Sequence, residues 1–370
     1  MTKARTNASA SPAVGRNMVI NGAMNVAQRS ASVTGIGASS GYFTCDRWQI
    51  NIGNTAGRLT MSQTADGPNG ISANCIKLDC TTADTSIAAG EVFTLRHNIE
   101  GQNVQRIGKG VAGAKQITVS FYVKASAAFT FGCELFDSDN SRQITKLFAT
   151  TTDWVRHSFV IPADEDDGSS PFDDDNAESL NIQFALHAGA TYTGGTLNTA
   201  TWANNTNANR YAGIDSFFSS TDNNFFITGV QMEVGPVATE FEQEDISTTL
   251  SKCQRYYQRI AAASDAYKRF GNLYAQTTTN VLLQIPLIQT LRAIPTIVTT
   301  GTAANYGIEH ENTVTATNAA LSIKTNADDG TQSPHVYVST TVGSGLTAGN
   351  GGVLVANNNA SAFIGIDSEL

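Results

Sequence analysis

The sequence predicts an all-β chain: a jelly-roll β-sandwich, a short connecting helix and a C-terminal β-sandwich-like domain. Three observations carry this expectation. Apolar residues alternate with polar ones over short runs, most clearly at Ile117, Val119, Phe121 and Val123 and again at Leu180, Ile182, Phe184 and Leu186. That period of two belongs to strands with one face in a core and one toward water. Gly, Asn and Asp clusters separate many such runs at turn-like intervals. Only one stretch, between residues 244 and 263, changes to a helical period. With 370 residues the chain exceeds most single domains, so two domains are expected.

In chain order, residues 1–16 form a short N-terminal peptide before the first domain, 17–243. Strands are expected there at residues 42–52, 58–63, 74–78, 92–98, 117–123, 130–136, 154–161, 180–186 and 225–234. Many short strands joined by turns favour a jelly roll. Residues 188–212 show no periodicity, and a loop of that length is usually functional or disordered. After the Gly235-Pro236 break, Ile246, Leu250, Cys253, Tyr257 and Ile260 are spaced four, three, four and three, an a/d seam on one helix face. The helix is expected to start near Ser247 and fade in Ala261–Ala263; at about four turns it must pack on something. Residues 264–370 form the second β domain, with strands at 267–278, 280–288, 296–300, 321–324, 335–340 and 362–367. Pro286 and Pro295 mark strand ends, and 343–359, rich in Gly and Asn, reads as exposed loops.

Composition narrows the function. Charged residues are 15% of the chain, against about 25% in ordinary globular proteins, and Asn, Thr, Ser and Gly supply the polar surface. The net charge of −9, without a polybasic run, argues against nucleic acid as a partner. No basic amphipathic helix and no run of about 18 apolar residues appears, so membrane insertion is not expected. The N-terminus lacks the apolar region of a secretory signal, so synthesis and folding in a cytosol are expected. The cysteines (Cys45, Cys75, Cys80, Cys133 and Cys253) sit in apolar patterns and read as buried free thiols.

Few motifs carry chemistry. Gly37-Ala-Ser39-Ser-Gly41 matches the spacing of a serine-nucleophile elbow, but a Gly/Ser loop precedes it and a strand follows, so the required strand-to-helix turn is missing. The acidic stretch with Asp164, Asp166, Asp167, Asp173 and Asp175 is either a Ca²⁺ site or a solvated loop. Such a loop would also suit the paired carboxylates of glycoside hydrolysis, which spacing alone cannot test. The five histidines stand apart, so metal catalysis has no support; no phosphate loop and no cofactor are indicated. Tyr192, Trp202 and Tyr211, set among Asn and Thr in the long loop, form either a sugar-stacking platform or a plug that ties the loop to the sandwich.

A series of segments resembles a module of bacteriophage tail fibres. In order they are RNMVINGAMNVAQRS (16–30), YFTCDRWQ (42–49), LRHNIEG (95–101), ITVSFYVKAS (117–126), DWVRHSFVIP (153–162), LNTATW (197–202), ITGVQMEVGPVATEFE (227–242), LSKCQRYYQ (250–258), IPLIQTLRAIPTI (285–297) and IGIDSEL (364–370). Each is weak alone; their shared order is more specific. The resemblance implies a carbohydrate-binding-like jelly roll, a helical connector, a C-terminal β tip and a homotrimer, with the helix seam as trimer contact or intrachain packing. It also implies that Trp202, part of the shared pattern, is structural. The function implied is non-enzymatic host-surface adhesion through glycan by a virion protein made in the host bacterial cytoplasm. Residues 1–16 would dock to other tail or baseplate proteins. A purely structural appendage or capsid-decoration protein is the alternative, and a glycan depolymerase a third.

Overall fold

The computed structural model describes residues 15–165, 171–311, 313–324 and 334–370. It is almost entirely β and divides into two units, residues 1–249 with Leu370, and residues 250–369.

The described residues of the first unit form thirteen strands. They are β1 (Ser32–Ile36), β2 (Gly41–Tyr42), β3 (Trp48–Gly53), β4 (Arg58–Thr64), β5 (Cys75–Thr82), β6 (Val92–Glu100), β7 (Ile117–Ala125), β8 (Thr130–Asp137), β9 (Arg142–Ala149), β10 (Val155–Ile161), β11 (Glu178–Ala188), β12 (Ala203–Asn204) and β13 (Asn224–Val234). Two antiparallel sheets result, ordered β1-β4-β5-β13-β7-β10 and β12-β9-β8-β11-β6-β3-β2. This is the expected jelly-roll sandwich. Its core is aromatic: Phe121 of one sheet meets Phe184 of the other edge-on at 4.9 Å, and Phe131 meets Phe225 at 5.7 Å.

The expected wet face of two strands is instead dry. β11 is buried along both faces, including Asn181 and Gln183, and so are Thr118 and Ser120 on β7. For β11 the cause is the long loop after it, which lies over the outer face of the sheet. Arg210 donates to both oxygens of Glu134 on β8, at 2.9 and 2.6 Å. The Tyr211 hydroxyl donates to Glu134 at 2.9 Å and lies 3.2 Å from the Gln183 amide oxygen. Glu134 and Gln183 on this face are therefore satisfied by protein rather than by water, as buried polar groups require.

The second unit holds ten strands among its described residues. They are β14 (Tyr257–Ala261), β15 (Arg269–Ala275), β16 (Asn280–Pro286), β17 (Thr296–Thr299), β18 (Tyr306–His310), β19 (Thr313–Ala316), β20 (Ser322–Ile323), β21 (His335–Thr341), β22 (Gly351–Ala356) and β23 (Phe363–Asp367). They form a three-stranded sheet, β14-β23-β17, and a seven-stranded sheet, β19-β18-β22-β15-β16-β21-β20. One core joins the inner faces, with Ile364 and Ile366 from the small sheet and Leu273, Leu283, Val336 and Val338 from the large one.

Two expectations for this region are corrected. The helix spans only Ile246–Gln254, and Asp245 caps it by accepting the Ser247 N–H at 2.8 Å. Tyr257 and Ile260 lie in β14, paired with β23, not on a continuing helix face. The stretch YYQRIA is rich in β-formers, and pairing with the apolar β23 outweighs one more helical turn. Tyr257 is 2% exposed, and its ring lies so close over Gly365 that a Cβ there would come within 2.6 Å of the hydroxyl. Of the five seam residues, Cys253 is buried, Leu250 is half-buried and Ile246 is 53% exposed. Second, residues 343–359 are not all loop. They contain β22, a strand flanked by β18 and β15 whose Leu354, Val355 and Ala356 are buried. Its neighbouring glycines had masked a four-residue apolar run.

Candidate functional site

The acidic and aromatic residues singled out from the sequence are mostly tied into the fold. Asp164 is neutralised: Arg142 donates to its two oxygens, each at 2.9 Å, and Lys109 Nζ lies 3.1 Å away. Lys109 also pairs with Asp137 at 2.6 Å, and its ammonium sits over the rings of Phe172 and Trp202 at 5.4 and 5.5 Å. Asp173 and Asp175 are exposed on turns, where Asp175 accepts the Ala177 N–H at 2.8 Å. Asp166 and Asp167 lie outside the described residues. Among the described residues, no group of three or more His, Cys, Asp or Glu is placed to hold a metal.

Trp202 is 6% exposed and donates its indole N–H to the Pro162 carbonyl at 3.0 Å. Tyr211 is 1% exposed, and burial, then the Glu134 carboxylate, push its phenol far above the ordinary value. Tyr192 packs on Tyr211 at 6.2 Å and keeps one partly open side. The three residues thus form no exposed platform; two of them plug the loop onto the sheet. Ser39 is exposed in a turn leading into β2, without a helix behind it.

An open surface with recognition chemistry lies in the second unit. Strands β16 and β21 alternate throughout, and β15 alternates from Asn272 to Ala275. Leu273, Ala275, Val281, Leu283, Ile285, Val336 and Val338 point into the core, while Asn272, Tyr274, Leu282, Gln284, Tyr337 and Ser339 face out. Register assembles these six into a patch. Tyr274 is opposite Leu282, which is opposite Ser339; Gln284 is opposite Tyr337. The two tyrosines therefore occupy diagonal corners, with Leu282 and Gln284 in the middle. With strand spacing near 4.8 Å and a rise near 3.3 Å, their Cα atoms are roughly 12 Å apart.

Asn272, Tyr274, Leu282, Gln284, Tyr337 and Lys324 line a groove of about 490 Å³, within the usual range for a ligand site. Lys324 follows β20, and its backbone N–H donates to the Tyr337 carbonyl at 2.9 Å. Its ammonium donates to Gln276 at 3.2 Å, and Gln276 donates to the Tyr274 hydroxyl at 3.4 Å. Tyr274 is 47% exposed, and His335 abuts the Tyr337 ring edge-on at 5.0 Å. Two apolar ring faces, two primary amides and one ammonium can stack on sugar rings and bond hydroxyls or carboxylates. Sequence reading placed these strands but passed over their parity. The signal was present in NLYA, LLQI and HVYV, where every tyrosine and amide falls on the outward register.

A second groove, of about 470 Å³, lies on the first unit between Ile71, Tyr122, Arg156, Phe241 and Gln243. Two of its polar side chains are already engaged by backbone and hydroxyl groups. Arg156 bonds the Thr239 carbonyl and the Ser120 hydroxyl, and Gln243 donates to the Ile71 carbonyl at 2.6 Å.

No family model matches the chain, and no curated protein matches it. Among solved structures it is similar to a CBM4 module at 12% identity, covering 59% of this chain and 99% of that one with a TM-score of 0.30. It is similar to TmCBM61 in complex with β-1,4-galactotriose at 9% identity, covering 60% and 100%, also with a TM-score of 0.30. A family 11 carbohydrate-binding module from Clostridium thermocellum, in complex with a mixed-linked tetrasaccharide, matches at 12% identity, covering 52% and 91%, with a TM-score of 0.26. Likeness of this size carries no argument about ligand or activity. The all-β architecture stands on the strands described above. Among the described residues, no helix is long and apolar enough to cross a membrane.

Proposed function

We propose that this chain is a tail-fibre protein of a bacteriophage. In this reading it binds host surface glycan through the open face of β15, β16 and β21. The observation that carries glycan binding is the outward patch of Tyr274, Tyr337, Asn272 and Gln284 around one groove. The ordered motifs of the sequence support the fibre assignment. Three copies in a homotrimer would sum individually weak contacts into a firm hold. Residues 1–16 would attach the fibre to other tail or baseplate proteins, and the chain would reside in the virion. The reading assigns the chain no reaction.

Light scattering and glycan binding test it together. The full chain is expected to have the mass of a trimer and to bind bacterial surface polysaccharides immobilised on an array. A monomer that binds nothing on such an array would refute the proposal.

A further inference from the structure

The outward face of the second unit also says something about the kind of glycan, on the premise that it is a glycan site. Both tyrosines are on one face, but roughly 12 Å apart across three strands. A single pyranose ring cannot touch both. The residues between them are one apolar side chain and one amide, Leu282 and Gln284, so the floor is continuous rather than split into two cups. Among the described residues, Asn272 and Ser339 occupy the other two corners, and neither is bulky. An open floor with stacking groups at opposite corners suits the interior of a chain, not a terminal sugar.

The charge of the groove is one-sided. Among the described residues that line it there is no carboxylate, and its one charged group is Lys324. The ammonium donates to a neutral amide oxygen, that of Gln276, and no described residue forms a salt bridge with it. In a chain of net charge −9, the groove thus carries a local positive charge beside Tyr274 and Tyr337. An ammonium gains most from a ligand carboxylate, which accepts charge-assisted hydrogen bonds.

We infer that this face takes an extended internal segment of an acidic, carboxylate-bearing polysaccharide. The segment crosses β15, β16 and β21 on the diagonal from Tyr274 to Tyr337, with a sugar carboxylate at Lys324. Two sugar rings stack on the tyrosines, and Asn272 and Gln284 bond hydroxyls of the sugars between.

The test uses the full chain on an array of acidic and neutral bacterial surface polysaccharides, followed by oligosaccharides of graded length cut from the tightest binder. Acidic chains are expected to bind better than neutral ones, with affinity rising from mono- to hexasaccharide and falling as salt is raised. Tyr274→Ala and Tyr337→Ala should each weaken binding about tenfold, and Lys324→Gln about threefold or more with loss of the salt dependence. All three positions face solvent, so thermal unfolding should be unchanged and serves as the folding control. Equal binding of neutral chains, or saturation by a monosaccharide, overturns this inference while leaving glycan adhesion standing. An effect of Tyr274→Ala without any of Tyr337→Ala also overturns it. No binding to any polysaccharide removes the adhesion reading as well.

Discussion

Replacing Lys109 by Met should destabilise the first unit more than any surface change. Lys109 is 3% exposed, and its ammonium is 2.6 Å from Asp137 and 3.1 Å from Asp164. The two carboxylates fare differently once it is gone. Asp164 keeps the paired hydrogen bonds from Arg142. Asp137, wholly buried, keeps its hydrogen bonds from Asn140 at 3.0 Å but has no other cation within salt-bridge distance among the described residues. Removing one partner of a buried pair leaves an uncompensated charge and costs about 3–5 kcal/mol. Against a total of roughly 5–15 kcal/mol that is a large fraction. For a unit of this size each kcal/mol lowers Tm by about 2–4 °C, so a fall of roughly 6–20 °C is expected. Adding Asp137→Asn to Lys109→Met should restore most of the loss, because the neutral amide needs no counter-charge. Urea denaturation of wild type, both single variants and the double variant completes the cycle. A cost below about 1 kcal/mol for Lys109→Met, or no recovery in the double variant, would refute the assignment of this cluster as a buried ion network.

Three further outcomes follow from other parts of the fold. His97 is fully buried, and burial first, then the nearby Arg47 charge, lower its pKa to about 3. The unfolded chain therefore binds a proton that the folded one refuses as pH falls from about 6.5 toward 3, costing on the order of 5 kcal/mol across that window; His97→Gln should flatten this part of the stability–pH curve if it folds, and an unchanged curve would contradict it. Burial pushes the Cys45, Cys75 and Cys133 thiols up and the Cys80 thiol up to about 11. Native protein should thus react very slowly with a thiol reagent at neutral pH and release all five thiols in denaturant; rapid native labelling would count against the packing. Trp202→Ala should cost about 3–5 kcal/mol through a cavity and the lost indole hydrogen bond, yet leave polysaccharide binding of the folded fraction intact; selective loss of binding would return Trp202 to the recognition surface.

The strands were readable wherever alternation was clean and short. Residues 117–123 and 225–234 fall inside β7 and β13 almost as expected. Three kinds of element were not. β14 was concealed because Tyr257 and Ile260 continue a helical spacing begun by Ile246, and only pairing with β23 decides between the two. β22 was concealed by its glycines, since a buried apolar run of four residues has no period of its own. β9 carries its alternation in mixed residues, Gln143 and Thr145 against Ile144 and Phe148, and both sets are buried. The dry outer face of β11 was equally illegible: Gln183 looks solvent-facing until Tyr211 is brought onto it from the far end of the loop, and Asn181 until Ser138 and Glu178 close on it. The same long-range fact turned Trp202 and Tyr211 from exposed aromatics into plugs. The candidate site had the opposite character. Its residues are local, their parity is visible in three short strands, and only the register that aligns Tyr274 with Leu282 and Tyr337 with Gln284 was hidden.

The central claim is that the recognition surface is the outward face of β15, β16 and β21, not the long loop of the first unit. Affinity electrophoresis through gels containing host surface polysaccharide tests it directly. Wild type and Tyr192→Ala should be retarded alike, and Tyr274→Ala combined with Tyr337→Ala should migrate as in a gel without polysaccharide. Retardation that survives the double substitution but disappears with Tyr192→Ala would contradict the account.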